Sequence, residues 1–144
     1  MSETLPRILI VDDDVGFAES LAAMLEAAGP YEVRMVHRAA DAVVVATEFP
    51  PDIVFLDIEL PDRSAYDVAK LLQQHADLRA TRLIALTDSI EHPGREVARA
   101  AGFERYLVKP VTANKLLKVL RRRISLGDAL RSVTNRESRA PGTR

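Results

Sequence analysis

The chain has 144 residues, 47% hydrophobic and 28% charged, with 20 Lys+Arg against 21 Asp+Glu for a net charge of -1. That length suits one domain with a sizeable core, and so even a charge balance leaves no basic footprint for nucleic acid or an anionic membrane. With no cysteine, disulfides, thiol catalysis and cysteine-ligated zinc are excluded. No apolar run is long enough to cross a bilayer and Met1 to Arg7 lacks a signal-peptide core, so the expectation is a cytoplasmic protein with no membrane partner.

The first apolar run, RILIV from Arg7 to Val11, reads as a strand and drives straight into Asp12, Asp13 and Asp14. A helix follows, capped by Asp14 and carrying Phe17, Leu21, Leu25 and Ala28 on one stripe until Gly29-Pro30 stops it. YEVRMV (Tyr31 to Val36) predicts the second strand, and Val43, Val44 and Thr47 mark the second helix. DIVFLD (Asp52 to Asp57) and RLIALT (Arg82 to Thr87) are the third and fourth strands, with a helix on Val68, Leu71 and Leu72 between them. A helix over Val97 to Ala101 ends at Gly102, ERYLVK (Glu104 to Lys109) gives the last strand, and Thr112 caps a helix carrying Leu116, Leu117, Leu120 and Ile124. Three of the strands are apolar on both faces, which suits burial between two helix layers. Strict alternation of five strands and five helices implies an α/β doubly wound parallel sheet with right-handed crossovers. From Gly127 the periodicity is lost, and residues 127–144 read as a polar C-terminal tail or linker stub.

In such a sheet, ligands bind beyond the carboxyl ends of the strands. Each of four predicted strands ends there in a polar group: the three aspartates, Asp57, Thr87 and Lys109. Clustered carboxylates repel one another, and oxygens without nitrogen or sulfur partners suit a hard cation such as Mg²⁺. A magnesium ion, a hydroxyl and a lysine together are what a phosphoryl group needs around its oxygens.

The succession VDDD, DIVFLDIELP, LIALT and YLVKP resembles the receiver domain of bacterial two-component response regulators over roughly residues 5–126. The resemblance implies a flavodoxin-like fold with strand order 2-1-3-4-5. It implies that Asp57 accepts a phosphoryl group from a phosphohistidine of a histidine kinase or histidine phosphotransfer protein. By the same resemblance, Asp13, Asp57 and the backbone carbonyl of Glu59 would bind Mg²⁺, with Asp12 helping through water. Thr87 would hydrogen-bond the phosphoryl, Lys109 would pair with it, Tyr106 would turn inward on activation, and Lys109-Pro110 would be cis. The signal would leave by the face of the fourth helix, fifth strand and fifth helix, where Ile90, Arg95, Tyr106 and Lys115 are candidates. The last helix is also a candidate surface for phosphorylation-linked homodimerisation. The chain reads either as a single-domain regulator of the chemotaxis kind or as a receiver module of a hybrid kinase.

Three positions depart from the family pattern. Asp88 replaces a small residue; a carboxylate pointing inward, about 6 Å from the phosphoryl at an effective dielectric near 20, would cost on the order of 3 kcal/mol. The loop context turns it to solvent instead. Glu59 falls where the family tunes hydrolysis, and a carboxylate there would order water or block it. Ser64-Ala65 replaces an Asp-Gly pair, and because alanine tolerates positive φ poorly, the loop must take another path or carry strain.

Plainer readings stand beside these. His37, His75 and His92 are far apart and read as surface residues, and Arg121-Arg122-Arg123 as cations favoured at a helix C-terminus. Tyr106 also fits a half-buried strand aromatic, and the whole site fits a degenerate receiver that only binds. From another class, Asp12-Asp13-Asp14 fits the DxD of haloacid-dehalogenase-type phosphatases, with Asp12 as nucleophile. That reading wants an acidic pair after the lysine, which Leu116 to Leu126 does not supply, and it leaves LDIELP unexplained.

Overall fold

A computed structural model describes residues 5–88 and 95–121, with the side chain of Arg95 excepted. The strands are β1 (Arg7–Val11), β2 (Glu32–Val36), β3 (Ile53–Asp57), β4 (Arg82–Thr87) and β5 (Arg105–Val108). The helices are α1 (Val15–Ala28), α2 (Ala39–Glu48), α3 (Ala65–Gln74), α4 (Arg95–Ala100) and α5 (Ala113–Leu120), and a 3-10 turn at Ala76–Leu78 precedes β4. All strand pairings are parallel and the order is β2-β1-β3-β4-β5, the flavodoxin-like arrangement that the sequence suggests. Ile90, His92, Arg122, Arg123, Ile124 and the 127–144 tail lie outside the described residues. No described helix is long and apolar enough to cross a membrane.

Side chains alternate between the two faces of the sheet, as a period of two requires. Leu9, Val11, Val54, Leu56, Leu83 and Ala85 pack with α2, α3 and Ala98 of α4. Ile8, Ile10, Ile53, Phe55, Ile84, Leu86 and Leu107 pack with α1 and α5. The order reverses between β1 and β3, so the crevice at their carboxyl ends is where a doubly wound sheet opens for a ligand.

The helix caps follow the sequence where it offers a local acceptor. Asp14 accepts from the Phe17 N–H and Thr112 from the Lys115 N–H. Gly102, at φ 101°, ends the α4 segment in a conformation that L side chains rarely adopt. The buried faces of three helices differ from expectation. Helix α2 buries Ala39, Ala42 and Ala46, leaving Val44 and Thr47 exposed; Leu71 in α3 and Leu117 in α5 also face solvent. Close approach of α2 to the sheet favours alanine's small volume, and the valines lie to either side of that contact. The Ser64-Ala65 loop takes another path, as one of the two expected outcomes had it. Ser64 (φ -63°) caps α3 by accepting from the Tyr66 N–H, Ala65 is buried as its first residue, and among the described residues no non-glycine residue has positive φ.

Candidate functional site

The site is built by continuing the strand alternation one step past the hydrophobic core. Ile8 and Ile10 lead to Asp12, Ile53 and Phe55 to Asp57, and Leu107 to Lys109, all on the face packed by α1 and α5. On the opposite face Leu83 and Ala85 lead to Thr87, and Tyr106 packs half-buried against the same core. Asp12 (0% exposed), Asp57 (3%) and Thr87 (0%) are therefore polar groups held inside the end of the sheet, whereas Asp13 is exposed at its rim.

Each buried acid has a fixed set of neighbours. Asp12 Oδ1 accepts from the Asp14 N–H at 2.9 Å, and its Oδ2 lies 2.8 Å from Lys109 Nζ. Asp57 Oδ1 accepts from the Glu59 N–H at 2.8 Å, and its Oδ2 lies 3.6 Å from the same Lys109 Nζ. The Lys109 ammonium also stands 4.3 Å over the centre of the Phe17 ring, a cation–π contact that holds it in the crevice. Lys109-Pro110 is cis, and the Lys109 N–H donates to the Thr87 carbonyl at 2.8 Å.

The electrostatics are unbalanced toward negative charge. Burial pushes the Asp57 carboxyl up to about 7; the Glu59 N–H pulls against this, Asp12 raises it again, Lys109 lowers it and Asp13 adds a last upward push. Burial alone would lower the Lys109 pKa, but the hydrogen bond and charge of Asp12, with Asp57 and Asp88 behind them, raise it, so the ammonium stays charged. One cation thus faces three carboxylates, whose oxygens approach within 4.8 Å of one another. An all-oxygen donor set with unoffset charge and one open, exposed member fits a hard divalent cation that keeps several waters.

Several neighbours escaped the sequence reading. His37 is half-buried rather than a plain surface residue, with Nδ1 2.9 Å from the Asp12 carbonyl oxygen; a carbonyl only accepts, so Nδ1 carries the proton. His75 is also half-buried, its Nδ1 enclosed without a hydrogen-bond partner among the described residues. Asp62 accepts from the Ala39 and Ala40 N–H groups, and Phe17, read as core, also faces Lys109. Asp88 is exposed, as its loop context suggests, and its N–H donates to Glu59 Oε1.

Comparison with known proteins matches residues 8–121 to the family described as the response regulator receiver domain. Protein PilH of Pseudomonas aeruginosa is 32% identical over 116 residues, which cover 81% of this chain and 95% of PilH. The DNA-binding response regulator MtrA of Mycobacterium tuberculosis is 30% identical over 122 residues, covering 85% of this chain and 52% of MtrA, so the chain spans about half that relative's length. Among solved structures, the receiver domain of a Pseudomonas aeruginosa sensor histidine kinase aligns with a TM-score of 0.74 at 29% identity, over 82% of this chain and 96% of that one. That structure has a magnesium ion coordinated in its active site cleft. Sheet order, acidic crevice, cis Lys109-Pro110 and the match over 8–121 agree: this chain belongs to the response regulator receiver domain family.

Proposed function

We propose that Asp57 accepts a phosphoryl group from the phosphohistidine of a histidine kinase or histidine phosphotransfer protein, and that the signal passes to a partner protein through the α4-β5-α5 face. Members of the family are signalling phosphoacceptors rather than conventional enzymes. The observation that carries the reading is the placement of Asp57: buried at the end of β3, inside the carboxylate cluster and 3.6 Å from the Lys109 ammonium. Asp13, Asp57 and the Glu59 carbonyl would hold Mg²⁺, with Asp12 acting through a water. Bound there, the ion would offset the charge of the carboxylates and of the phosphoryl oxygens.

An Asp57 carboxylate oxygen attacks phosphorus, forming an O–P bond as the P–N bond to the donor histidine breaks. The electron pair of that bond returns to the imidazole, which keeps the proton on its other nitrogen and leaves neutral. Lys109, a compact charge already placed by Asp12 and Phe17, moves toward the new anion without needing bidentate geometry. Thr87 turns its hydroxyl to a phosphoryl oxygen, and Tyr106, on the same face of the sheet, takes the space released. The α4-β5-α5 face, to which Tyr106 of β5 and exposed Lys115 of α5 belong, would then present a changed shape to the partner. The domain is proposed to run over residues 5–126, in keeping with elements from Arg7 to Leu120.

Intact mass after incubation with acetyl phosphate tests the reading. A single phosphoryl adduct that needs Mg²⁺ and is lost in Asp57→Asn is expected, with shifted Tyr106 ring signals by NMR. An unmodified wild type would leave a receiver that only binds, and donor turnover that survives Asp57→Asn but stops in Asp12→Asn would favour the phosphatase.

A further inference from the structure

Two tyrosines share one layer on the Thr87 side of the sheet. Tyr66, in the first turn of α3, and Tyr106, in β5, are both half-buried and pack against the same hydrophobic core. The Tyr66 ring stands edge-on to Phe103, three residues before Tyr106, with centroids 6.1 Å apart at 87°. Packed in this way, the ring holds its hydroxyl in an enclosed place, where the oxygen has no hydrogen-bond partner among the described residues. Tyr106 pairs in register with Ala85, the smallest side chain in the series Leu83, Ala85 and Thr87 on that face of β4. Burial raises the Tyr66 pKa, and Tyr106 and then Glu59 raise it further, so both groups lie within electrostatic reach of the hydroxyl.

We propose that Tyr66 is a second member of the switch: when Tyr106 turns inward, its hydroxyl hydrogen-bonds the Tyr66 hydroxyl, and the buried group gains the partner it lacks. This rests on the reading above, in which Asp57 accepts a phosphoryl group and Tyr106 turns inward in response. Each phenol both donates and accepts, so the pair forms without a change of protonation. A buried hydroxyl without a partner carries its desolvation cost, and a hydrogen bond removes it. Such a group therefore favours whichever state supplies the partner. Ala85 leaves room beside Tyr106, Thr87 is drawn toward the new anion, and Tyr66 supplies the bond that holds the turned ring. A phenylalanine or leucine at position 66 would give the packing without the bond. Tyr66 is thus a positioning residue that acts through Tyr106 and sets how completely that ring turns.

Four forms of the full chain test this: wild type, Tyr66→Phe, Tyr106→Phe and the double substitution. Each is titrated with beryllium trifluoride, a phosphoryl analogue, under saturating Mg²⁺. A bond made only in the turned-in state adds to the affinity of the ligand that drives the turn. Tyr66→Phe should weaken binding about three- to tenfold, the worth of one neutral hydrogen bond, and should weaken it no further in the Tyr106→Phe background. Because Tyr66→Phe keeps the ring, a role in packing alone would leave the affinity unchanged. The second readout is the hydroxyl-bearing ring carbon of Tyr66 by NMR, which should shift on loading in wild type and stay in place in Tyr106→Phe. Unchanged affinity in Tyr66→Phe overturns the proposal. Equal weakening in both backgrounds, or a Tyr66 carbon that shifts equally in both, overturns it by assigning the hydroxyl to another group such as Glu59. A protein that binds beryllium trifluoride while its Tyr106 ring signals stay fixed overturns the switch and the pairing together, and leaves Asp57 as the acceptor. If no form binds the analogue or takes a phosphoryl group, the phosphoacceptor reading itself fails and the proposal falls with it.

Discussion

Tyr66 opens α3 with its ring edge-on to Phe103, centroids 6.1 Å apart at 87°, and its hydroxyl is buried with no hydrogen-bond partner among the described residues. Burial raises its pKa, and the neighbouring Tyr106 and Glu59 add to the rise. A buried polar group without a partner carries its desolvation cost uncompensated, about 1–3 kcal/mol, while the ring contributes its packing regardless. Tyr66→Phe keeps the ring and deletes the cost. It should raise the unfolding free energy by about 0.5–1.5 kcal/mol, seen in urea as a higher midpoint at unchanged slope. A lower midpoint would mean that the hydroxyl has an acceptor in solution. The same residue bears on the proposed switch, because Tyr66 and Tyr106 pack against one core on the Thr87 side of the sheet, so the inward turn proposed for Tyr106 would have to be accommodated beside it.

At the scale of an element, α2 begins without a local cap. Arg38 occupies the N-cap position and makes no side-chain capping bond; instead Asp62, in the loop after β3, accepts from the Ala39 N–H at 3.0 Å and the Ala40 N–H at 3.1 Å. The first N–H groups of a helix need acceptors from outside it, and here the acceptor also ties the loop that carries Glu59 to the neighbouring helix. The Ala39 bond, opposed by burial and joined by the Ala40 bond, holds the Asp62 carboxyl below its ordinary 3.8. An acid held low stabilises the fold above its unfolded-state pKa and loses that contribution as pH falls through the folded value. Asp62→Ala should therefore melt at a lower temperature than wild type at pH 7, and the gap should close below about pH 4. A gap that does not narrow at all as pH falls below about 4 would assign the effect to packing instead.

The strand ends illustrate what sequence makes legible. Asp12, Asp57, Thr87 and Lys109 each continue a two-residue alternation at the end of an apolar run, so their meeting follows from local pattern plus one rule about where such sheets bind ligands. The Asp62 cap, the His37 bond to the Asp12 carbonyl and the Phe17 ring under Lys109 join residues 22 to 92 positions apart. No periodicity connects such pairs; they come from tertiary placement. The helix faces lie between these cases. Apolar spacing marks α2 as a helix, but its buried stripe is alanine, chosen by how near the helix lies to the sheet, which the spacing of its valines does not encode.

For the whole molecule, the crevice trades stability for function. The sheet drives Asp12 and Asp57 into its interior because the strands that carry them are core on both sides, and among the described residues the resulting charge is offset by Lys109. With Asp57 raised to about 7 from an ordinary 3.8, the metal-free fold retains a proton that the unfolded chain releases. A raised acid destabilises the fold progressively as pH climbs from the unfolded value to the folded one, at about 1.4 kcal/mol per unit of pH at most, and the loss levels off above it. Asp57→Asn cannot ionise. In chelator-treated buffer it should match wild type near pH 4, gain on it between about pH 4 and 7, and stay more stable by roughly 1–3 kcal/mol at pH 8. Millimolar Mg²⁺ should narrow that gap at pH 8, because a ligand that binds only the native state stabilises it in proportion to its occupancy and the substitution removes one of its carboxylates. Urea unfolding at three pH values, with and without the ion, measures all of this. A gap independent of pH would mean that the cost of Asp57 is steric. A gap that Mg²⁺ leaves untouched would show that the cluster does not hold the cation through Asp57.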